Sequence, residues 1–579
     1  MLAMLLSSCA VLFGCAKSNE EPEQSESESQ TESATDSESE STGAEASDGY
    51  FALSQNGVAL YDFVYQTKGL LQNMATEQDY KSFADTLIAA LKSKCPDVKF
   101  NLLKDTDGAS DKRIFAIGKI EGVSDEACRD LRALDYMFDQ SGDNLFLVGY
   151  TTTYVKLCVD QLVKSVKEID GDVYLKASVI GESRKGSYHL GKLTLGDTPV
   201  SEYVISYGED NEAGAKQLAE MLRTESGFIV PCEKNSTAEK VIVLDNTAED
   251  GYQITVANGK MTVSYAPTAL QWNLLYQYVQ SKIKVVDMNG SFDLASLVTE
   301  TAVATPKQSL LSFNVKDVWN ANGTPGTRDD VCAEMVLEYK PDFLCLQEFD
   351  VGYRTAENGL ISKISEEYAE VAISGVADVR EIWNPIFYRK DLYTVVESGF
   401  VYFPDETSSS KESANYPFHN FGDGNSRFRS LVWAVLQDTS GAKYVIGSTH
   451  LSYLEQETSQ PAEATLVINT IKGVAGRYEN ATVLVAGDFN SRVSATGLGS
   501  KKILDAGFED TYTLAALKND YGTSHDMGVA PDMGYLNGAI DHVFTLRELT
   551  VHSFLVLVEE SLWPISDHSP IFVQFSAKE

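Results

Sequence analysis

Six separated apolar runs in this chain end in side chains able to do chemistry. They are Leu310-Leu-Ser-Phe-Asn-Val315, Phe343-Leu-Cys-Leu-Gln-Glu348, Tyr444-Val-Ile-Gly-Ser-Thr-His450, Ala481-Thr-Val-Leu-Val-Ala-Gly-Asp-Phe-Asn-Ser491, Ala539-Ile-Asp-His-Val-Phe544 and Ile565-Ser-Asp-His-Ser-Pro570. Such runs read as strands presenting polar groups at their tips, where binding and catalytic residues concentrate. Brought together, the carboxylates of Glu348, Asp488 and Asp567 and the amide oxygens of Asn314 and Asn490 form a set of hard oxygen donors. That set suits Mg²⁺ or Mn²⁺, admits Ca²⁺, and does not suit zinc. Phosphate-ester cleavage needs such a set, with a metal to neutralise charge on the phosphate and an activated water to attack in line.

Taken alone, Gly487-Asp-Phe-Asn490 reads as no more than a strand followed by an Asx turn. Its companions change that. In their order, from about Ser309 to Gln574, the six motifs resemble those of the endonuclease/exonuclease/phosphatase superfamily, the fold of deoxyribonuclease I, abasic-site endonucleases, neutral sphingomyelinases and inositol polyphosphate 5-phosphatases. The resemblance implies a four-layer α/β sandwich, two packed mixed sheets flanked by helices, over residues 305–576. It also implies roles. Glu348 is the principal metal ligand, with Asn314 and Asp567 completing or supporting the site. Asp488 positions or deprotonates the attacking water, and Asn490 holds it or a phosphate oxygen. His568 contacts the phosphate with its ring oriented by Asp541, and His450 is a phosphate ligand or general acid.

The middle of the same region supplies substrate contacts. Asn384 and Tyr388, in Asn384-Pro-Ile-Phe-Tyr-Arg-Lys390, match a family strand that lines the cleft, although Tyr388 reads equally as core packing. Arg429 is expected to bind phosphate if it points inward, and His525 to form part of the substrate rim. His542 faces the opposite side of its strand from Asp541 and reads as structural. No run resembles the specificity loops of inositol phosphatases, the membrane hairpin of haemolytic sphingomyelinases or the basic loops of duplex-binding nucleases.

Ahead of this region lie elements that must hold it in place. Residues 49–184 and 185–300 read as two copies of a small α/β unit, each ordered strand, amphipathic helix, strand, strand, helix. In the first copy Phe83, Leu87, Ala90 and Leu91 form one apolar stripe at helical spacing. The units weakly resemble the accessory α/β domain preceding the barrel of hexosaminidase-type glycoside hydrolases, which implies a spacer or a carbohydrate-contacting module. Residues 16–48 are almost entirely Ser, Glu, Thr, Gln and Asp, a composition that cannot bury a core and is expected to form a disordered tether. Residues 1–15 read as an export signal resembling that of a bacterial lipoprotein, with Cys15 the lipidated residue and Cys9 its competitor. That places the protein on the cell surface, anchored by lipid to the outer face of the plasma membrane.

A net charge of −37 over 579 residues opposes non-specific DNA binding, so any affinity for nucleic acid has to come from a locally basic cleft through Lys316, Arg389, Lys390, Arg427, Arg429 and Arg492. The scattered cysteines lack CxxC spacing. The leading expectation is a cell-surface, metal-dependent phosphodiesterase or nuclease. A sphingomyelinase-like enzyme or an inositol- or sugar-phosphate phosphatase is second, and a glycan-binding protein acting through the N-terminal repeats is third. The corresponding partners are a nucleic acid, a phospholipid head group or a sugar phosphate, a membrane through the lipid only, and carbohydrate.

Overall fold

The six apolar runs become sheet packing in the structure, a computed structural model. It describes residues 49–577 except 72–73, 108–109, 130, 300–302, 304–305, 307, 318–324, 356, 375–381, 404–418, 421–425, 428 and 454–455. Residues 1–48, on which the expected export signal with Cys9 and Cys15 and the expected acidic tether fall, lie outside the described residues.

From Gln308 onward the chain builds two sheets. Strand Gln308–Asn314 pairs parallel with Phe343–Gln347 and antiparallel with Ile571–Ala577, at the centre of a seven-stranded sheet. Strand Thr482–Asp488 pairs parallel with Lys443–His450 and antiparallel with Asp541–Thr545 in a six-stranded sheet. One face of each sheet meets the other through Leu310, Phe343, Cys345, Ile446, Leu484, Ala486 and Val543, all buried. The alternate residues Val445, Val483 and Val485 face outward under helix Gln456–Arg477, and Leu311, Phe313, Leu344 and Leu346 lie under helices Pro325–Tyr339 and Leu360–Ile364. Because both faces of each central strand are covered, the runs read as continuously apolar. The result is the four-layer α/β sandwich.

Strand sense explains why the polar tips meet. Parallel pairing aligns Asn314 with Gln347 and His450 with Asp488, and the antiparallel partner places Asp541, at its own start, opposite Asp488. Asp567 and His568 precede an antiparallel strand whose Ile571 pairs with Ser312, so they arrive at the same edge. Gly487 makes the close pairing feasible: it sits at φ +149°, and a Cβ there would lie 1.9 Å from the Thr449 carbonyl oxygen. Gly487→Ala is expected to cost about 1–3 kcal/mol or more, checked by urea unfolding.

The two units ahead of the sandwich have sheets of the same design. In the first the order is Leu102–Lys104, Tyr61–Tyr65, Arg113–Ile117, Asn144–Gly149, Tyr136–Ser141, with a further edge strand Glu182–Arg184. In the second it is Cys232–Lys234, Val204–Tyr207, Val241–Asp245, Lys260–Tyr265, Tyr252–Ala257. In both, the first four strands run parallel and the fifth is antiparallel. The short parallel strand and the antiparallel hairpin strand of each unit are additions to the pattern read from the sequence. Helix Glu77–Lys94 starts at a capping box, Thr76 with Asp79, and buries Tyr80, Phe83, Ala84, Leu87, Ile88 and Leu91.

The second unit is not a detached bead. Its core residues, including Leu222, Tyr265 and Leu275, join one apolar cluster with Phe313, Val336, Tyr339 and Leu557 of the sandwich. Asn273 donates to Tyr339 Oη at 2.6 Å and to Glu559 Oε1 at 3.1 Å across this junction. The six cysteines of the described residues are free thiols, and no described helix is long and apolar enough to cross a membrane.

Candidate active site

The strand tips enclose a cleft of about 270 Å³ lined by Lys316, Glu348, Arg429, His450, Tyr453, Asp488, Asn490 and Asp567. Three of these, Lys316 (φ +53°), Glu348 (φ +57°) and Asn490 (φ +48°), occupy the left-handed region, which is costly for residues with a Cβ and clusters where function imposes a conformation. Lys316 and Asn490 are held there by neighbours. Arg328 donates from Nε to the Ile565 carbonyl at 2.7 Å and from its guanidinium to the carbonyls of Val315 and Lys316. Tyr353 Oη donates to the same two carbonyls at 2.8 and 3.1 Å. Asn490 N donates to Asp488 Oδ1 at 2.8 Å, and the buried Gln460 Nε2 reaches the carbonyls of Phe489 and Asn490 at 3.1 and 3.3 Å.

Acidic oxygens converge from three strands. Asn314 Nδ2 donates to Asp488 Oδ2 at 3.0 Å and to Glu348 Oε1 at 3.3 Å, while Asp317 N donates to Glu348 Oε2 at 3.1 Å. Asn314 Oδ1 accepts from Lys316 N at 3.0 Å, so Asn314 links the two carboxylates to the Lys316 backbone. The Lys316 ammonium pairs with Asp567. Glu348, Asp488 and Asp567 on one cleft wall, with only Lys316 and Arg429 among its lining cations, are a donor set that fits a hard divalent cation.

Beside them runs a buried Asp-His-Asp relay. His568 Nδ1 lies 2.8 Å from Asp541 Oδ2, and its Nε2 lies 3.8 Å from Asp488 Oδ2. His450 Nε2 lies 3.1 Å from Asp488 Oδ2 and 3.0 Å from Asn490 Nδ2. Asp488, Asp541 and His568 bring ligand-type atoms within 4.8 Å of one another, yet Nδ1 of His568 is already engaged by Asp541 while its Nε2 stands 3.8 Å from Asp488, so they form a hydrogen-bonded Asp541–His568 pair facing the Asp488 carboxylate.

Burial and charge set the protonation states. Burial disfavours the imidazolium of His568, but Asp541 and Asp488 outweigh it and push its pKa up to about 10. Burial also works against charge on Asp488, and the two histidines with the Asn490 N–H overcome it, holding the carboxyl well below the usual carboxylate range. For His450 burial, seconded by Arg429, wins over Asp488 and lowers the pKa, keeping the ring neutral at pH 7. Two adjacent imidazoles are thus held in opposite states.

Among the other residues singled out in the sequence, Arg429 is buried in the cleft wall with its guanidinium 5.8 Å from the Tyr453 ring. Asn384 is fully buried and donates to the carbonyl and hydroxyl of Ser430 at 3.0 and 2.9 Å, so it secures the residue after Arg429 and touches no substrate space. Tyr388 is not brought to the cleft: it packs against the core between the sheets, opposite Phe343 in register. Tyr388→Phe is expected to leave kcat/KM within about twofold, whereas Arg429→Lys, which loses the planar fork, is expected to lower it by about tenfold or more in the same assay. His525 lies beside the cleft, its N–H donating to the Asp567 carbonyl at 2.9 Å and its Nδ1 3.0 Å from the Asp526 carbonyl. His542 is structural, 2.8 Å from Tyr535 Oη and 3.0 Å from the Ser491 carbonyl. Of the basic residues expected to line the cleft, Arg389 pairs with Asp391 and Arg492 is exposed, while the Arg427 side chain lies outside the described residues. Tyr453 and Gln460 were missed, since neither belongs to a strand-tip pattern.

A family model described as the Endonuclease/Exonuclease/phosphatase family matches residues 318–568. A curated relative, the "Probable CCR4-Not complex 3'-5'-exoribonuclease subunit Ccr4" of Encephalitozoon cuniculi, is 24% identical over 253 residues, 40% of this chain and 50% of the relative, so the chain spans about half the length of the curated relative it matches. Among solved structures, a mannosyl-6-phosphatase of Bacteroides thetaiotaomicron is 21% identical over 47% of this chain and 100% of its own, with TM-score 0.38. The human Nocturnin catalytic domain is 18% identical over 47% of this chain and 97% of its own, with TM-score 0.35. The TDP2 of D. rerio complexed with a single-stranded DNA product is 18% identical over 46% of this chain and 98% of its own, with TM-score 0.33. Six motifs in family order, the two-sheet sandwich that joins them at one edge and the family match over 318–568 lead to one assignment: the chain carries a domain of the endonuclease/exonuclease/phosphatase family.

Proposed function

We propose that the chain is a divalent-metal-dependent hydrolase of phosphoric esters, a phosphodiesterase or nuclease, held at the cell surface by a lipid on Cys15. The observation that carries the catalytic part is the meeting of Glu348, Asp488 and Asp567 with His450 and Arg429 in one cleft. Glu348 and Asp567 would hold the cation, and Asn314 would fix Glu348 and Asp488. When bound, the cation supplies positive charge beside the scissile phosphate.

The remaining steps belong to the chain's own groups. Asp488, ionised far below neutral pH, is a weak base; it orients a water by accepting its hydrogen bond. Neutral His450, with Nε2 3.1 Å from Asp488, is the group able to take a proton there. His568, cationic and fixed at Nδ1 by Asp541, presents Nε2–H to a phosphate oxygen or to the leaving group. Arg429 and Lys316 add charge against the phosphate. Support for the lipid anchor is the sequence of residues 1–48.

A panel of bis-p-nitrophenyl phosphate, single-stranded DNA, RNA, sphingomyelin and p-nitrophenyl phosphate, assayed with Mg²⁺, Mn²⁺ or Ca²⁺ and again with EDTA, tests this. The expected result is diester cleavage abolished by EDTA; inertness toward every ester contradicts the proposal. A second reading, a phosphatase of small sugar or inositol phosphates, is favoured by the −37 net charge and by a cleft of only about 270 Å³. Release of inorganic phosphate with the diesters untouched selects it.

A further inference from the structure

One buried carboxylate behind the cleft has no part in the chemistry described above. Glu463, on helix Gln456–Arg477, is 3% exposed. Both of its oxygens accept from Ser452, two residues beyond His450: Ser452 N donates to Oε2 at 2.9 Å and Ser452 Oγ to Oε1 at 2.5 Å. Burial pushes the Glu463 carboxyl up, and the two Ser452 donors, seconded by Arg429, oppose that. One turn earlier on the helix, Gln460 Nε2 donates to the Ser452 carbonyl at 2.7 Å. Burying a carboxylate is costly unless hydrogen bonds offset it, and here those bonds go to holding a single residue of the turn.

The peptide between Leu451 and Ser452 carries that hold into the cleft. Its N–H is the one bonded to Glu463, and its carbonyl, that of Leu451, accepts from Asn490 Nδ2 at 2.9 Å. Because a peptide group is planar, fixing the N–H fixes the direction of the C=O. The same Asn490 nitrogen lies 3.0 Å from His450 Nε2. A carbonyl can only accept, so the Leu451 oxygen decides which way round the Asn490 amide stands. The nitrogen faces Leu451 and His450, and Oδ1 is the atom left for the cleft that Asn490 lines.

We infer that Glu463 is a positioning residue of this site: by holding the Leu451–Ser452 peptide it sets the Asn490 amide against His450 Nε2. Its effect on rate rests on the phosphoesterase reading of the cleft, whereas the hold itself does not. Glu463 is not among the residues that line the cleft, so its removal is expected to act on kcat and to spare KM.

Kinetics of bis-p-nitrophenyl phosphate cleavage and hydrogen exchange followed by mass spectrometry, both on the full chain, test this. Glu463→Leu, which keeps the bulk of the side chain and removes both acceptors, is expected to lower kcat about tenfold or more with KM within about twofold. Glu463→Gln returns an acceptor to Ser452 N and is expected to bring kcat back to within about threefold of wild type. Ile471→Ala, a deletion at a fully buried position two turns along the same helix, is expected to lower the melting temperature and leave kcat unchanged, which separates positioning from a general loss of stability. In Glu463→Leu the backbone amides of residues 451–453 are expected to exchange about tenfold faster or more, with those of strand Thr482–Asp488 unchanged. Thermal melts confirm that the variants fold. If the wild type cleaves no phosphoester, the function proposed above falls and the exchange result alone decides. Unaltered exchange in the turn, a kcat of folded Glu463→Leu within about twofold of an active wild type, or a loss that Glu463→Gln does not restore overturns the inference.

Discussion

Glu348→Gln is expected to lower kcat/KM toward a phosphate diester by about 10³-fold or more, roughly 4 kcal/mol of transition-state stabilisation, while the thermal melt stays close to wild type. The substitution keeps the shape of the side chain and the acceptor that meets Asp317 N or Asn314 Nδ2, but removes the charge. Since Glu348 stands at a left-handed φ of +57° just beyond the strand Phe343–Gln347, its backbone is fixed before any ligand arrives. A cation thereby meets a pre-formed carboxylate, which is why charge and not geometry should dominate the loss. A variant retaining more than about a tenth of wild-type kcat/KM would remove Glu348 from the chemistry.

Asp541→Asn has the second largest expected effect, and its sign can be worked out from the relay. In the wild type the His568 pKa is raised to about 10, so the imidazolium persists through neutral pH. A raised histidine pKa contributes stability that is fully present below the ordinary value of about 6.5 and is lost as pH rises through about 10. Removing the Asp541 charge takes away the largest support of the imidazolium and its hydrogen bond, leaving mainly Asp488 to offset burial. The alkaline limb of kcat/KM should move from near pH 10 down toward neutrality, with a loss of about 10²–10³-fold at pH 8. His450 moves in the opposite sense. Its lowered pKa gives stability present above about 6.5 and lost as pH falls toward the folded value, so the acid limb should be unchanged in Asp541→Asn. A pH–rate profile and a pH series of unfolding curves check both limbs.

The sandwich was legible because its central strands are covered on both faces: Phe343 to Leu346 or Val483 to Ala486 can only be apolar throughout, and the first polar residue marks the edge. Asn314, Glu348, His450, Asp488 and Asp541 could be read for that reason. Lys316 was visible as a cation, but its left-handed backbone depends on Arg328 and Tyr353, twelve and thirty-seven residues away, and on no local pattern. Tyr453 follows the strand ending at His450, where no periodicity continues, and Gln460 lies on a helix whose contact with the Phe489 and Asn490 carbonyls is set by packing. Tyr388 illustrates the converse. It sits on a strand that starts near the cleft, but alternation sends its ring into the core beside Phe343.

In the N-terminal units the helices were readable from their stripes, while three-residue strands such as Leu102–Lys104 and Cys232–Lys234 are too short to show a period. The hairpin strand Tyr136–Ser141 does alternate, Tyr136 and Phe138 buried and Met137 and Asp139 less so, and was readable in principle. The cluster joining Leu275 to Tyr339 and Leu557 had no sequence signature, since contacts between separate units leave no local spacing.

Calorimetric titration of Mn²⁺ into the wild-type chain, Glu348→Gln and Asp567→Asn addresses the central claim most directly, because it reads the cation without requiring the substrate to be known. The account predicts saturable binding by the wild type, weakened by about tenfold or more in each variant, with all three proteins equally folded. Equal Mn²⁺ affinity in the three proteins would contradict it.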